Sequence, residues 1–396
     1  MKVLLCHNYY QQPGGEDLSF ETEARLLETR GHDVVRFTRH NDEIEGMSRM
    51  KTAACTLWNR RTYREVRAIL RRQRPDVMHC TNIFPLISPS VYYAARAEGV
   101  PVVQSLRNYR LLCVNGYLLR NHRVCEDCVG KAVPWPAVVH GCYRQSRAGS
   151  LVVASMLVLH RAVRTWSRMV TRYYATTEFS RRLFVTAGIP ADRIAVMPCF
   201  VDPDPGVGTG SGGYAVFVGR LSPEKGIEMM LSAWTRLSGR LKLKIVGDGP
   251  LAPMVREAAA RSPHVEWLGY RKPEETLAVV GGASCLVMPS IWYETFGRTI
   301  IEAYATGTPV VASRFGAMAE LVDDGRTGRL FEVGNADDLA AQVGRLLDDP
   351  RLLADMRQEV RREFEKKYAA EANYRALMDI YRDAMSSGCN GRTERD

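Results

Sequence analysis

Short apolar runs alternate along this chain with longer stretches whose apolar residues return every three or four positions. Residues 2–8 are apolar until the run ends in polar side chains, as a buried strand would. Residues 16–30 carry Phe20, Ala24 and Leu27 at helical spacing and stop at Gly31;. Further runs at 33–37, 76–80, 100–106 and 173–176 predict strands, and 61–74, 88–98, 148–170 and 180–187 predict helices. Strands separated by helical segments predict a parallel, doubly wound sheet.

The alternation pauses at CFVDPDPGVGTGSGG, residues 199–213, whose Pro, Gly and Ser content reads as a linker;. It then resumes, with strands expected at 214–218, 241–246, 265–268, 285–288 and 309–313. Helices are expected from 227 and over 251–261, 274–280, 296–306, 335–347, 351–367 and 370–385. The expected class is α/β, with two Rossmann-like doubly wound parallel-sheet domains at 1–190 and 214–365 joined by a linker at 191–213. A chain of 396 residues is also too long for one comfortable core;. A helix over 366–386 follows, and 387–396 has the composition of a disordered tail;.

The chemistry concentrates in PSIWYETFGRTIIEAYATGTPVVAS, residues 289–313. Glu294 lies just before the predicted helix and Glu302 well inside it. At about 1.5 Å rise per residue the two carboxylates are at most roughly 12 Å apart along the axis. Between them the free N–H groups and dipole of the helix start favour an anion. Hydroxyls at both ends and a phosphate in the middle describe a nucleotide-sugar; a pair of solvated surface glutamates is the plainer alternative. A second motif, GRLSPEKG, places Arg220 and Lys225 in a loop leaving a strand, where they can grip a diphosphate from two sides;. Gly14-Gly15 between the first strand and helix allows close backbone approach to a phosphate, although tight turns use the same residues;.

Composition narrows the setting. The chain is 46% hydrophobic and 25% charged, as ordinary soluble domains are, and no apolar run reaches the roughly 18–20 residues that span a bilayer;. With no signal-peptide pattern, a cytoplasmic location is expected. Residues 1–185 hold 28 Lys and Arg against 15 Asp and Glu, a net of +13 within the whole-chain +10. Such a basic half suits nucleic acid, an anionic membrane face, an anionic substrate or a plain solvated surface. Helix 61–74 is rich in arginine with an apolar side, as membrane-surface helices are;. Four of the ten cysteines, Cys113, Cys125, Cys128 and Cys142, lie in the loop 107–146 that breaks the alternation. Cys125-x2-Cys128 has metal-ligand spacing, so a structural zinc is expected there, with His140 as a substitute ligand. Asp202-x-Asp204 resembles a metal-chelating pair, but the prolines and glycines around it favour the linker.

The full motif around Glu294 and Glu302, with GRLSPEKG, KIVGDGPL and ELVDDGRTGRLF in order, resembles the retaining GT-B glycosyltransferases of family 4, the glycosyl transferases group 1. The resemblance covers nearly the whole chain. It implies a GT-B fold whose two domains face a central cleft, with the C-terminal helix crossing back to the first. It implies transfer of a sugar from a UDP-, GDP- or ADP-sugar to a saccharide or lipid-linked acceptor hydroxyl, with retention, in cell-surface polysaccharide or glycolipid synthesis. Glu294 would contact the donor sugar, Glu302 the ribose hydroxyls, and Arg220 and Lys225 the departing diphosphate. Gly14, Gly15, Gly219, Gly249, Thr295, Phe296 and Gly297 would complete the donor site. No cofactor would be required for catalysis. Nucleic acid is not an expected partner, whereas the basic first half, with its helices around 61–74 and 151–172, makes an anionic membrane on the inner face one;. Arg107 departs from the family, standing where a His is usual. It can bind phosphate but cannot titrate near neutral pH, which excludes a base role.

Two other readings attach to particular residues. Gly247-x-Gly249-x-x-Ala252, with Glu266 downstream, is a passable dinucleotide fingerprint, which would make an NAD(P)-dependent oxidoreductase;. The cysteines and the basic half would suit a zinc-containing nucleic-acid-binding protein, but the basic residues lack interleaved aromatics.

Overall fold

The computed structural model describes residues 1–12 and 14–389. They form two compact units, one of Met1–Leu118, Cys125–Met197 and the chain from Tyr374 onward, the other of Leu119–Val124 and Pro198–Asn373.

Strands β1 (Lys2–Tyr9), β2 (Asp33–His40), β3 (Val77–Cys80) and β4 (Val102–Leu106) come first in the chain. A short antiparallel hairpin of β5 (Leu119–Arg120) and β6 (Arg123–Val124) follows, then β7 (Arg172–Ala175) and β8 (Ile194–Val196). The first unit's sheet is parallel throughout, in the order β2-β1-β3-β4-β7-β8. β3 and β4 are buried along their whole length, polar His79, Gln104 and Ser105 included, as strands covered on both faces are;. The helices are α1 (Gly15–Thr29), α2 (Arg49–Leu57), α3 (Arg60–Gln73), α4 (Ser90–Ala97), α5 (Trp135–Val139), α6 (Arg147–Ala162), α7 (Thr165–Arg168) and α8 (Glu178–Thr186).

The single helix expected over 148–170 is broken between α6 and α7. Arg164 takes a left-handed conformation at φ 57°, and buried Thr165 hydrogen-bonds through Oγ1 to His160 Nδ1 and Tyr93 OH, each at 2.8 Å. The turn brings that hydroxyl to two polar side chains that would otherwise be buried without it. α2 was not expected; it has little periodicity but a Ser48 cap accepting from the Lys51 N–H at 3.3 Å;.

The second unit contains β9 (Tyr214–Val218), β10 (Lys242–Val246), β11 (Val265–Gly269), β12 (Cys285–Met288), β13 (Val310–Ser313) and β14 (Gly328–Phe331). All pair in parallel, in the order β11-β10-β9-β12-β13-β14. Its helices are α9 (Ile227–Arg236), α10 (Ala252–Arg261), α11 (Pro273–Gly282), α12 (Arg298–Ala305), α13 (Gly316–Leu321), α14 (Ala336–Asp348) and α15 (Pro350–Lys367). Successive strand residues enter opposite apolar clusters: Val216, Leu286 and Val310 one, Ala215, Cys285 and Val311 the other. That is the pleat of a sheet covered by helices on both faces.

α16 (Ala370–Cys389) starts in the second unit and ends in the first. In the first unit its Leu377, Ile380, Tyr381 and Ala384 join Val3, Leu5, Phe20 and Leu27 in one core cluster. Residues 387–389, expected to begin a disordered tail, continue the helix, and 390–396 lie outside the described residues. Among the described residues no helix is long and apolar enough to cross a membrane.

Candidate active site

In the second unit the strand order reverses between β9 and β12, with β10 and β11 on one side and β13 and β14 on the other. Loops leaving the carboxyl ends of such neighbours diverge, and the crevice between them is where open α/β sheets bind ligands. Both motifs prominent in the sequence leave these two strands, 219–226 after β9 and 289–297 after β12.

Backbone contacts knit these loops to each other and to the 247–251 loop after β10. Gly219 N–H donates to Val246 O (3.0 Å), Leu221 N–H to Asp248 O (2.9 Å), Leu251 N–H to Leu221 O (2.8 Å) and Ile291 N–H to Glu224 O (2.9 Å). Side chains would prevent this approach. A β-carbon on Gly247, at φ +134°, would lie 1.9 Å from the Gly219 carbonyl oxygen, and one on Gly226, at φ +70°, 2.1 Å from that of Pro289;. Gly249 likewise lies against the backbone of Leu221. The dinucleotide reading therefore needs correcting: Gly247 and Gly249 receive a neighbouring loop, and Glu266 faces Lys242 at 3.4 Å.

The side chains follow from this frame. Arg220 is exposed, and its guanidinium has no hydrogen-bond or ion-pair partner among the described residues. Lys225 Nζ donates to Glu294 Oε1 at 2.5 Å and lies 5.4 Å from the centre of the Trp292 ring. Glu294 is 7% exposed and also accepts from Ser290 Oγ at 2.8 Å. Glu302 accepts from Arg298 Nε at 2.9 Å; burial raises its pKa above the usual carboxylate value, and Arg298 pulls the other way;. Gly297, at φ 94°, caps the start of α12 at Arg298, two residues later than the sequence pattern suggests. Thr295 is half-buried beside it, whereas the Phe296 ring belongs to the apolar core, 6.3 Å from the Tyr368 ring.

Ser290, Trp292 and Arg298 join the candidate set from the structure. Only Arg298 had a signal in the sequence, four residues before Glu302 on one helix face. Asp204, in contrast, is taken up by Arg361, whose Nη1 donates to it at 2.8 Å, so it is not a free chelator.

In the first unit Gly14 caps α1, its N–H donating to Asp17 Oδ2 at 2.8 Å, and a β-carbon on Gly14 or Gly15 would meet nothing within 4 Å. Asp17 Oδ1 also pairs with buried His7 Nε2 at 2.7 Å. Arg107 is buried. Its Nη1 donates to Ser19 Oγ at 3.1 Å and its Nη2 to the Glu23 carboxylate, which balances its charge inside the unit. Tyr174 OH donates to the same carboxylate (3.1 Å), sits 3.1 Å from His79 Nε2, and His79 Nδ1 faces Tyr381 OH at 2.8 Å. Burial lowers the His79 pKa to about 4, so the ring is neutral and takes its Nδ1 bond from Tyr381;.

Cys128 is buried among the other three loop cysteines, Cys113, Cys125 and Cys142, and burial first, then these neighbours, push its thiol up to about 11. The Cys113 thiol donates to Asn115 Oδ1 at 3.0 Å. Among the described residues no three His, Cys, Asp or Glu side chains are arrayed to hold a metal ion.

Two parallel-sheet α/β domains of this kind are the GT-B architecture, and solved glycosyltransferases share it. A glycosyltransferase from Rickettsia africae covers 97% of this chain and 99% of its own, at 17% identity and a TM-score of 0.71. Anabaena HepE, solved in complex with UDP, covers 96% and 99%, at 18% identity and a TM-score of 0.67. Residues 14–199 match the family model for the glycosyl transferase 4-like domain, and residues 212–349 that for glycosyl transferases group 1. The chain is a GT-B glycosyltransferase of the group 1 type. An uncharacterized glycosyltransferase of Methanocaldococcus jannaschii is 26% identical over 72% of this chain and 84% of its own length. The D-inositol 3-phosphate glycosyltransferase of Corynebacterium efficiens is 34% identical over 44% of each chain. The GDP-mannose-dependent alpha-mannosyltransferase of Corynebacterium glutamicum is 28% identical over 72% of this chain, which spans 62% of that relative.

Proposed function

We propose that this chain transfers a sugar from a nucleotide-sugar to an acceptor hydroxyl with retention, using the β9–β12 crevice as its donor site. The observation that carries the reading is the convergence there of an unpartnered guanidinium, Arg220, with the Lys225–Glu294 pair. Arg220 supplies charge where a diphosphate develops it, and preorganised charge of this kind is usually the largest catalytic term. Without donor, Glu294 holds Lys225. A diphosphate competes for that ammonium and frees the carboxylate to accept from sugar hydroxyls. Glu302 accepts from the ribose hydroxyls.

In the transfer, the bond between the anomeric carbon and the diphosphate oxygen breaks, and its electron pair stays on that oxygen. The acceptor oxygen bonds to the anomeric carbon on the same face, and its proton passes to the departing diphosphate. Charge neutralisation rests on Arg220 and Lys225, so the reading asks for no cofactor. UDP in the HepE structure and GDP-mannose in the name of the C. glutamicum relative make these two nucleotides the first donors to test. The acceptor class is a saccharide or lipid-linked saccharide of cell-surface polysaccharide or glycolipid synthesis.

The test is a panel of UDP-, GDP- and ADP-sugars, assayed for binding and hydrolysis, with the product's anomeric configuration read by NMR. One donor should bind and turn over with the anomer kept. Inversion would remove the retaining mechanism, and silence across the panel would remove the donor-site assignment.

A further inference from the structure

A helix that is apolar all round belongs in an interior. α6 is apolar on both sides, yet only one side is covered. Val153, Ala154, Met156 and Leu157 are buried, while Leu151 is 54% and Leu159 43% exposed. The open stripe runs from Arg147 through Leu151, Ser155 and Leu159 to Val163, at successive helical turns, and Arg164 follows it;. Arg147 and Arg164 are both exposed, so the stripe has a cation at each end and no charge between. α5 packs against α6 and exposes Trp135 (58%) and Val139 (51%), four residues apart. The surrounding sequence is one-signed. Residues 128–177 contain Lys131, Arg144, Arg147, Arg161, Arg164, Arg168 and Arg172 and no Asp or Glu.

We propose that the exposed faces of α6 and α5 form a docking surface for an anionic lipid bilayer, with α6 lying in the plane of the interface. A large exposed apolar stripe with arginines at its ends and a tryptophan beside it is the chemistry of an interfacial helix. α3, the arginine-rich helix, does not compete for this role, because it presents no exposed apolar stripe: Val66 and Leu70 are buried, and Tyr63 and Ile69 half-buried;. A second copy of the chain fits the surface badly, because a two-fold contact would set arginine against arginine. The inference is independent of the donor-site reading.

The experiment is cosedimentation of the full chain with vesicles of phosphatidylcholine alone and of phosphatidylcholine mixed with phosphatidylglycerol. The chain should bind the anionic vesicles at least about tenfold more tightly, with the gap closing as salt rises. The double variant Leu151→Ser, Leu159→Ser should bind about tenfold or more weakly. Arg144→Gln and Arg147→Gln should each lose about fivefold. Arg61→Gln and Arg71→Gln on α3 should bind as the parent chain does. All six positions are at the surface, so unchanged thermal melting identifies variants whose loss is not unfolding, and the arginine variants serve if the double variant melts early. Equal binding to both vesicle types at low salt overturns the proposal. So does full binding by the Leu and Arg variants, or a dimer in solution that Leu151→Ser, Leu159→Ser dissociates. Nucleotide-sugar hydrolysis, followed in parallel without lipid, should be the same in all variants. Its absence throughout would count against the donor site alone.

Discussion

Glu302 and Glu294 are eight residues apart and are expected to fail differently. Glu302→Gln loses charged acceptance from two hydroxyls, and hydrogen bonds to charged groups are worth roughly 1.5–3 kcal/mol. Titration calorimetry should therefore show weaker binding of the free nucleoside diphosphate as well as of the donor. Glu294→Gln should leave the free nucleotide nearly untouched and lower turnover. Equal weakening of the nucleotide by both would dismiss the assignment. The raised pKa of Glu302 adds a sign. Only its ionised form accepts well from both hydroxyls, so nucleotide affinity should fall on acidification, beginning above the usual carboxylate range, and that slope should vanish in Glu302→Gln. These residues were legible in the sequence because their type and spacing carry the chemistry. The direct Lys225–Glu294 bond was not, since 69 residues separate the partners and only the adjacency of β9 and β12 joins them. Arg107 was legible as a departure from a family pattern, but its buried carboxylate partner was not. His79 gives a second pH prediction. Its folded pKa of about 4 lies below the unfolded value of about 6.5, so the unfolded chain binds more protons between those limits;. Stability should drop by on the order of 3 kcal/mol as pH falls through that window. Urea melts of the parent chain and His79→Gln at both ends of the window would show whether the slope belongs to this ring.

Among the elements, the glycine loops separate packing from ligand approach. Gly247→Ala puts a β-carbon against the Gly219 carbonyl oxygen and strains a positive φ, and should destabilise the second unit by on the order of 3 kcal/mol;. Gly15→Ala, at the first position of α1 with nothing within 4 Å, should leave thermal melting unchanged. If the Gly14-Gly15 loop covers a donor diphosphate, that same variant should lose turnover, and full activity would strip the loop of the role. The strand–helix alternation was legible because most strands are short, mainly apolar runs set between stretches of helical spacing. α2 was not, lacking an apolar stripe, and the break between α6 and α7 was not, because it is caused by a buried hydroxyl that meets Tyr93 only in the folded chain. β14, Gly328–Phe331, was overlooked for a similar reason: it is four residues long and opens on a glycine, whose side-chain-free face lies against the Val310 backbone.

For the molecule as a whole, the two units are unequal in how they use the chain. The second is built from one nearly continuous stretch, Pro198–Asn373, joined by Leu119–Val124. The first draws on the beginning and the end, and no periodicity in the sequence says that Tyr381 will meet His79, 302 residues away; only the likeness to a family suggested that the last helix changes domain. Removing the chain after residue 373 should uncover Val3, Leu5, Phe20 and Leu27, so that limited proteolysis cuts within 1–197 while 214–367 stays resistant. Equal resistance of both parts would show that α16 adds little. The same feature orders events at the ribosome. The first unit is translated before the second but can be completed only by α16, which emerges after every strand of the second has left the tunnel. A nascent chain therefore carries an open apolar face through most of its synthesis, which makes it a natural client for chaperones and makes even a late stop codon a lesion in the domain that was made earliest.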